Sequence, residues 1–176
     1  LKIIGGQHAG FILRPPKNLK ARPTTALAKE SLFNILNNRY SFEGLKVLDL
    51  FAGSGGIGLE FASRGAESVT AVDFSGITFK FLQQVTQQLN LQNYVPVKGE
   101  VVKYLQHCSA TFDIIFADPP YGMQNIAEVV TTVFQQNLLA PDGVLIVEHD
   151  KHVRLPIENL QENRKYGQTS FSFYSL

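Results

Sequence analysis

Asp118-Pro119-Pro120-Tyr121 ends the apolar run FDIIFA with a carboxylate, two prolines and an aromatic ring. The prolines offer no backbone donor and fix their own φ angles. Their carbonyls and the Asp118 carboxylate therefore form a row of acceptors with no competing N–H. Such a row suits the hydrogens of an NH2 group, and Tyr121 adds a flat face on which a base can stack, a contact worth roughly 1 to 3 kcal/mol. An exocyclic amino nitrogen is a poor nucleophile because its lone pair is delocalised into the ring. Acceptors that take both hydrogens favour a geometry in which that pair can attack, so the chemistry implied is positioning plus electrostatics.

A second set surrounds a glycine loop. Asp49 precedes Phe51-Ala52-Gly53-Ser54-Gly55-Gly56-Ile57-Gly58, which contains G-x-G-x-x-G, and Asp73 follows Gly53 by twenty residues. Glycines let the backbone pass close to a ligand, and an acid at that distance can accept from both hydroxyls of a ribose. On spacing alone the loop fits a dinucleotide. Asp49 argues otherwise, because a carboxylate beside the loop repels a pyrophosphate and attracts a cation. S-adenosylmethionine, with its sulfonium and ammonium groups, satisfies that requirement, and a nicotinamide dinucleotide does not.

The third set is basic. Residues 1 to 40 carry Lys2, Arg14, Lys17, Lys20, Arg22, Lys29 and Arg39 against Glu30, a balance of +6 in a chain whose net charge is +1. A basic arm on a near-neutral body is the pattern expected of a protein that holds a polyanion with one part and does chemistry with another. Arg14, Lys17, Lys20 and Arg22 are the candidate phosphate contacts. Thr24 and Thr25 offer hydroxyls or a helix start beside them.

The elements that must position these residues are legible in the apolar pattern. KIIGGQHAGFIL reads as two short β-type runs around a glycine-rich turn, RPPKNLKARP as an extended loop, and TTALAKESLFNILNN as a helix capped by Thr24 or Thr25. From residue 45 five strands (LKVLDLF, SVTAVDF, YVPV, FDIIFAD, GVLIVEH) alternate with helical stretches. This predicts an α/β fold with a doubly wound, mostly parallel sheet. The tail NRKYGQTSFSFYSL alternates polar and aromatic residues about Tyr166-Gly167-Gln168, which predicts a closing antiparallel hairpin. In such a sheet ligands bind outside the carboxyl ends of the strands, where both the glycine loop and Asp118 fall.

Other chemistry is thin. One cysteine, Cys108, makes no internal disulfide, and His8, His107, His149 and His152 show no metal-ligand spacing, so no metal is expected. No apolar run approaches the roughly 20 residues of a membrane helix, and no signal pattern opens the chain. The expectation is a cytoplasmic protein with no membrane contact.

IIGGQHAG, L-x-x-P, Arg22-Pro23-Thr24-Thr25, Lys29-Glu30-Ser31-Leu32-Phe33-Asn34-Ile35-Leu36, DLFAGSGGIGLE, FADPPY and the final YG-x-T resemble, over essentially the whole chain, the RsmD family. These are bacterial methyltransferases of the exocyclic amino group of one guanine in small-subunit (16S) ribosomal RNA. The resemblance implies a Rossmann-like class I fold with a methyltransferase domain at 41–176 and an RNA-binding extension at 1–40. It implies S-adenosylmethionine held by Asp49, Phe51, Ala52, Gly53, Ser54, Gly55, Asp73 and Phe74, with Glu100 and Val101 at the adenine. Asp118, Pro119, Pro120 and Tyr121 would act on the base. The partner would be small-subunit rRNA, naked or in an assembling 30S particle, and the enzyme a monomer. D-P-P-Y by itself also suits an adenine-N6 methyltransferase acting on DNA or RNA.

Overall fold

Why the central strands are nearly unbroken apolar runs is explained by their position. In the computed structural model, which describes residues 1–20 and 24–176, β1 (Lys46–Leu50) pairs in parallel with β2 (Ser68–Asp73) on one side and β4 (Phe112–Ala117) on the other. Beyond them lie β3 (Tyr94–Lys98) and β5 (Leu139–Asp150), both parallel to their neighbours. Pro96 is tolerated in β3 because that strand forms the edge. The hairpin β6 (Leu160–Tyr166) and β7 (Thr169–Tyr174) adds two antiparallel strands, giving the order β3-β2-β1-β4-β5-β7-β6. Its two-residue turn places Gly167 at φ +64°, a conformation that glycine adopts without steric cost.

Successive residues of a strand face opposite sides, so the sheet sorts its apolar side chains into two layers. Val47, Ile114 and Phe116 pack on one face with α1 (Ala26–Arg39), α2 (Gly58–Ser63) and α3 (Gly76–Gln88). Leu48, Ile115 and Ala117 pack on the other with α4 (Val101–His107) and α5 (Ile126–Gln135). Thr25 caps α1 by accepting from the Ala28 N–H, and Ser75 does the same for α3 through Thr78. No helix among the described residues is long and apolar enough to cross a membrane.

The amino-terminal segment is built into the first layer. Its two β-type runs meet as an isolated antiparallel bridge between Lys2 and Ile12, and Ile3 and Leu13 are buried in the same core as α1 and the sheet. What fixes it is Glu60 of α2, fully buried, which accepts from the Ile4 N–H (2.9 Å), the Gly5 N–H (2.7 Å), Arg64 Nε (2.9 Å) and Lys29 Nζ (2.8 Å). Lys29, equally buried, also donates to the Lys2 carbonyl at 2.9 Å. Burial alone would raise the Glu60 carboxyl, but the Lys29 ammonium and the two backbone donors outweigh it and hold the group below the ordinary carboxylate range. The arm is thus tied by charge and hydrogen bonds to the helix that follows the glycine loop.

Candidate active site

The strand order reverses between β1 and β4, and the carboxyl ends of the strands there open into a cavity of about 900 Å³. Asp49, Gly53 and Asp73 line one side of it, and Asp118, Tyr121 and Glu148 line the other.

The glycine loop takes its shape from contacts with both acids. Asp49 is 2% exposed, and its Oδ2 accepts from the Gly58 N–H at 2.9 Å. A Cβ at Gly58 would lie 2.6 Å from that same oxygen, so only glycine lets the loop close on the carboxylate. Asp73 accepts from the Gly53 N–H through Oδ2 (3.0 Å) and from the Ser75 N–H through Oδ1 (2.9 Å), which binds the loop to the end of β2. Phe51 enters the loop at φ +60°, an outlier for a bulky side chain, so strain is held at the first residue after β1. Burial pushes the Asp49 carboxyl up to about 7; the Gly58 N–H opposes this and the Asp73 charge adds to it. In its ionised form a carboxylate facing the cavity is the electrostatic complement of a cationic ligand.

Across the cavity the proline stretch leaves β4. The Asp118 N–H reaches the Leu50 carbonyl at 3.4 Å, keeping this end of the sheet beside the glycine loop. Pro119 is buried and Pro120 exposed. The Pro120 carbonyl accepts from the Met123 N–H at 3.0 Å. That corrects the expectation of two equivalent proline acceptors: the turn employs the second. Tyr121 is 90% exposed at the cavity rim, with its ring available to a planar group.

Of the residues expected to hold a cofactor, Asp49, Phe51, Ala52, Gly53, Ser54, Asp73 and Phe74 line the cavity, Phe74 with 71% of its surface exposed. Gly55 stands behind it, where a Cβ would meet Leu82 Cδ2 at 2.5 Å. Glu100 and Val101 are not among the lining residues. Glu100 caps α4, with Oε1 accepting from the Val102 N–H and Oε2 from the Lys103 N–H, and Val101 is buried in the second core layer.

Of the basic set, Lys20, Thr24 and Thr25 line the cavity, whereas Arg14 and Lys17 are exposed away from it, and Arg22 lies outside the described residues. Leu1 also reaches the site, packing on the loop at Gly56. The amino-terminal segment therefore forms part of the cavity wall. His149 lines the cavity too, but its ring nitrogens engage the Asp150 carbonyl and Ser172 Oγ, each at 2.8 Å.

The sequence reading missed Glu148. It is 7% exposed at the end of β5, and its Oε2 accepts from the Thr24 hydroxyl at 2.5 Å. The signal was present: GVLIVE ends a buried strand with a carboxylate, as FDIIFAD does.

A family model described as "Conserved hypothetical protein 95" matches residues 1–175. The Bacillus subtilis protein YlbH is 34% identical over 182 residues, spanning 99% of this chain and 98% of its own. The "Ribosomal RNA small subunit methyltransferase D" of Escherichia coli K12 is 29% identical over 178 residues, 99% of this chain and 89% of its own. A solved T. thermophilus 16S rRNA N2 G1207 methyltransferase, in complex with AdoMet and guanosine, aligns with a TM-score of 0.72 at 24% identity. That alignment spans 88% of this chain and 44% of the other, a likeness of fold.

Proposed function

This chain belongs to the RsmD family, and from that membership we propose that it transfers a methyl group from S-adenosylmethionine to the exocyclic N2 amino group of a guanine in small-subunit ribosomal RNA. The observation that carries the proposal is a single cavity with two unlike halves. One has acids suited to a cationic nucleoside, and the other has an acceptor row and an exposed aromatic ring suited to a base amine.

In the first half Asp49 would face the cationic groups of the methyl donor, Asp73 the ribose hydroxyls and Phe74 the adenine ring. The cofactor supplies an electrophilic methyl group. In the second half Asp118 and the Pro119 carbonyl accept the two hydrogens of the amine, which turns its lone pair away from them. Asp118 is placed to receive the proton that the nitrogen releases as it gains the methyl. Tyr121 stacks on the extruded base. Residues 1–40 hold the RNA backbone, with Arg14, Lys17, Lys20 and Arg22 as phosphate contacts and Lys20, Thr24 and Thr25 nearest the reacting base. Such a substrate belongs to the cytoplasm, as naked rRNA or as an assembling small subunit, and a monomer suffices for the chemistry.

The test is mass spectrometry of nucleosides from small-subunit rRNA of a strain lacking the gene, before and after treatment with purified protein and S-adenosylmethionine. N2-methylguanosine should be missing and then restored. Restoration of N6-methyladenosine would instead make the enzyme an adenine methyltransferase.

Two further results are expected. If Asp49 must be ionised to hold the cationic donor, affinity should fall about fivefold from pH 7 to pH 6, following the ionised fraction of a group titrating near 7. Asp49→Asn should bind weakly and flatten that profile in calorimetry. Tyr121→Ala should lower kcat/KM for RNA by about 5- to 150-fold, the equivalent of a stack worth roughly 1 to 3 kcal/mol, whereas Tyr121→Phe keeps the ring and most of the activity. Equal rates for the two variants would remove the stacking role.

A further inference from the structure

We infer, on the basis of the function proposed above, that Glu148 makes the site specific for guanine by accepting the ring N1–H, while Asp118 and the Pro119 carbonyl accept the N2 amino hydrogens. Ala117, the last residue of β4, pairs with Val147 of β5, so Asp118 just past the end of β4 lies beside Glu148, which is still within β5 and paired with Phe171 of β7. Both line the same cavity. The two neighbouring carboxylates contribute acceptor oxygens and no donors of their own to the cavity wall.

Such a pair selects among bases. Guanine presents an amino group and an adjoining ring N–H, a row of donors. Adenine and cytosine present an amino group next to a ring nitrogen bearing a lone pair, which a carboxylate repels. Uracil has a ring N–H and no amino group. Only guanine matches an edge of acceptors next to an amine clamp. Burial strengthens the discrimination, because a carboxylate left facing a lone pair in a 7% exposed position is not rescued by solvent.

The position is also fixed. The Thr24 hydroxyl donates to Oε2 of Glu148, and Thr24 adjoins the Thr25 cap of α1, whose Lys29 is locked to Glu60. A carboxylate accepts about four hydrogen bonds, so one that anchors Thr24 can also accept from a base. By this route the basic segment orients the group that reads the base.

2-Aminopurine separates the roles, since it keeps the 2-amino group but has a lone pair at N1 in place of the N–H. The target guanine, located by mass spectrometry of methylated fragments, is replaced by 2-aminopurine in ligated rRNA, and single-turnover methylation is compared with the guanine substrate. The wild-type enzyme should prefer guanine by about 100-fold or more, in keeping with the rejection shown by sites built to pair a donor that the analogue lacks. Glu148→Gln should lower the guanine rate and narrow the preference to about tenfold or less. Its amide can turn an N–H toward the ring nitrogen of 2-aminopurine while still accepting the Thr24 hydroxyl.

A wild-type enzyme that methylates both substrates equally would overturn the inference without any variant. So would a Glu148→Gln enzyme with unchanged cofactor-product binding that keeps the wild-type preference, leaving Glu148 as an anchor for Thr24. Both outcomes spare the assignment as a guanine methyltransferase. Absence of any N2-methylation of guanine by the wild type would remove that assignment and this inference together.

Discussion

Asp118→Ala is expected to slow methyl transfer by about 100-fold or more while leaving RNA binding largely intact. An acceptor aimed at the reacting amine acts chiefly in the transition state, so its loss falls on kcat rather than on KM. The backbone should tolerate the change, because the segment is held by its own N–H to the Leu50 carbonyl and by the Pro120 carbonyl to Met123. Single-turnover methylation, with binding of RNA and cofactor product measured on the same preparation, checks the result. A folded Asp118→Ala enzyme working at the wild-type rate would reduce the proline stretch to a turn that ends a strand.

Glu60→Ala should have the largest effect on stability. It removes the fully buried carboxylate that faces Lys29 Nζ, Arg64 Nε and two backbone donors, and leaves the buried Lys29 ammonium without its counter-charge. Breaking such a pair from one side costs about 3 to 5 kcal/mol. For a chain of this size that lowers Tm by roughly 6 to 20 °C. Because Glu60 holds Ile4 and Gly5, methyl-donor affinity should weaken as well, through loss of the Leu1 contact with the glycine loop. Glu162→Ala is the control. It breaks partly exposed contacts to Arg39 and Arg164 and should cost no more than about 1 kcal/mol. Equal stabilities for the two variants in thermal unfolding would show that the Glu60 cluster is not what anchors the arm.

What could be read from the sequence divides along physical lines. The strands were legible because each is a short apolar run bounded by glycine, proline or acids, and the hairpin because Gly167 sits between two alternating runs. Asp49, Asp73 and Asp118 were legible because a doubly wound sheet fixes where the ends of β1, β2 and β4 must meet. Glu60 was not legible. A glutamate in LEFAS looks like any helical surface residue, and its partners Lys29, Ile4 and Gly5 come from a segment whose docking no periodicity encodes. Glu100, expected at the cofactor from its place after β3, has a further role that its position just before a helix could have suggested: its two oxygens accept from the Val102 and Lys103 N–H groups and cap α4. Thr24 and Thr25 were assigned to one role or the other, and the fold separates them: Thr25 caps α1, and Thr24 reaches Glu148.

The Thr24–Glu148 bond joins residues 124 positions apart, and the Arg39–Glu162 pair spans 123. A ribosome translating about 5 to 20 residues per second needs roughly 6 to 25 s to pass from Thr24 to Glu148. Throughout that interval the most basic part of the chain exists without the β5 end that completes its seat. The basic segment is therefore made before most of the fold and is among the last regions to be finished, so the surface expected to grip ribosomal RNA is assembled only after the fold beneath it is nearly complete.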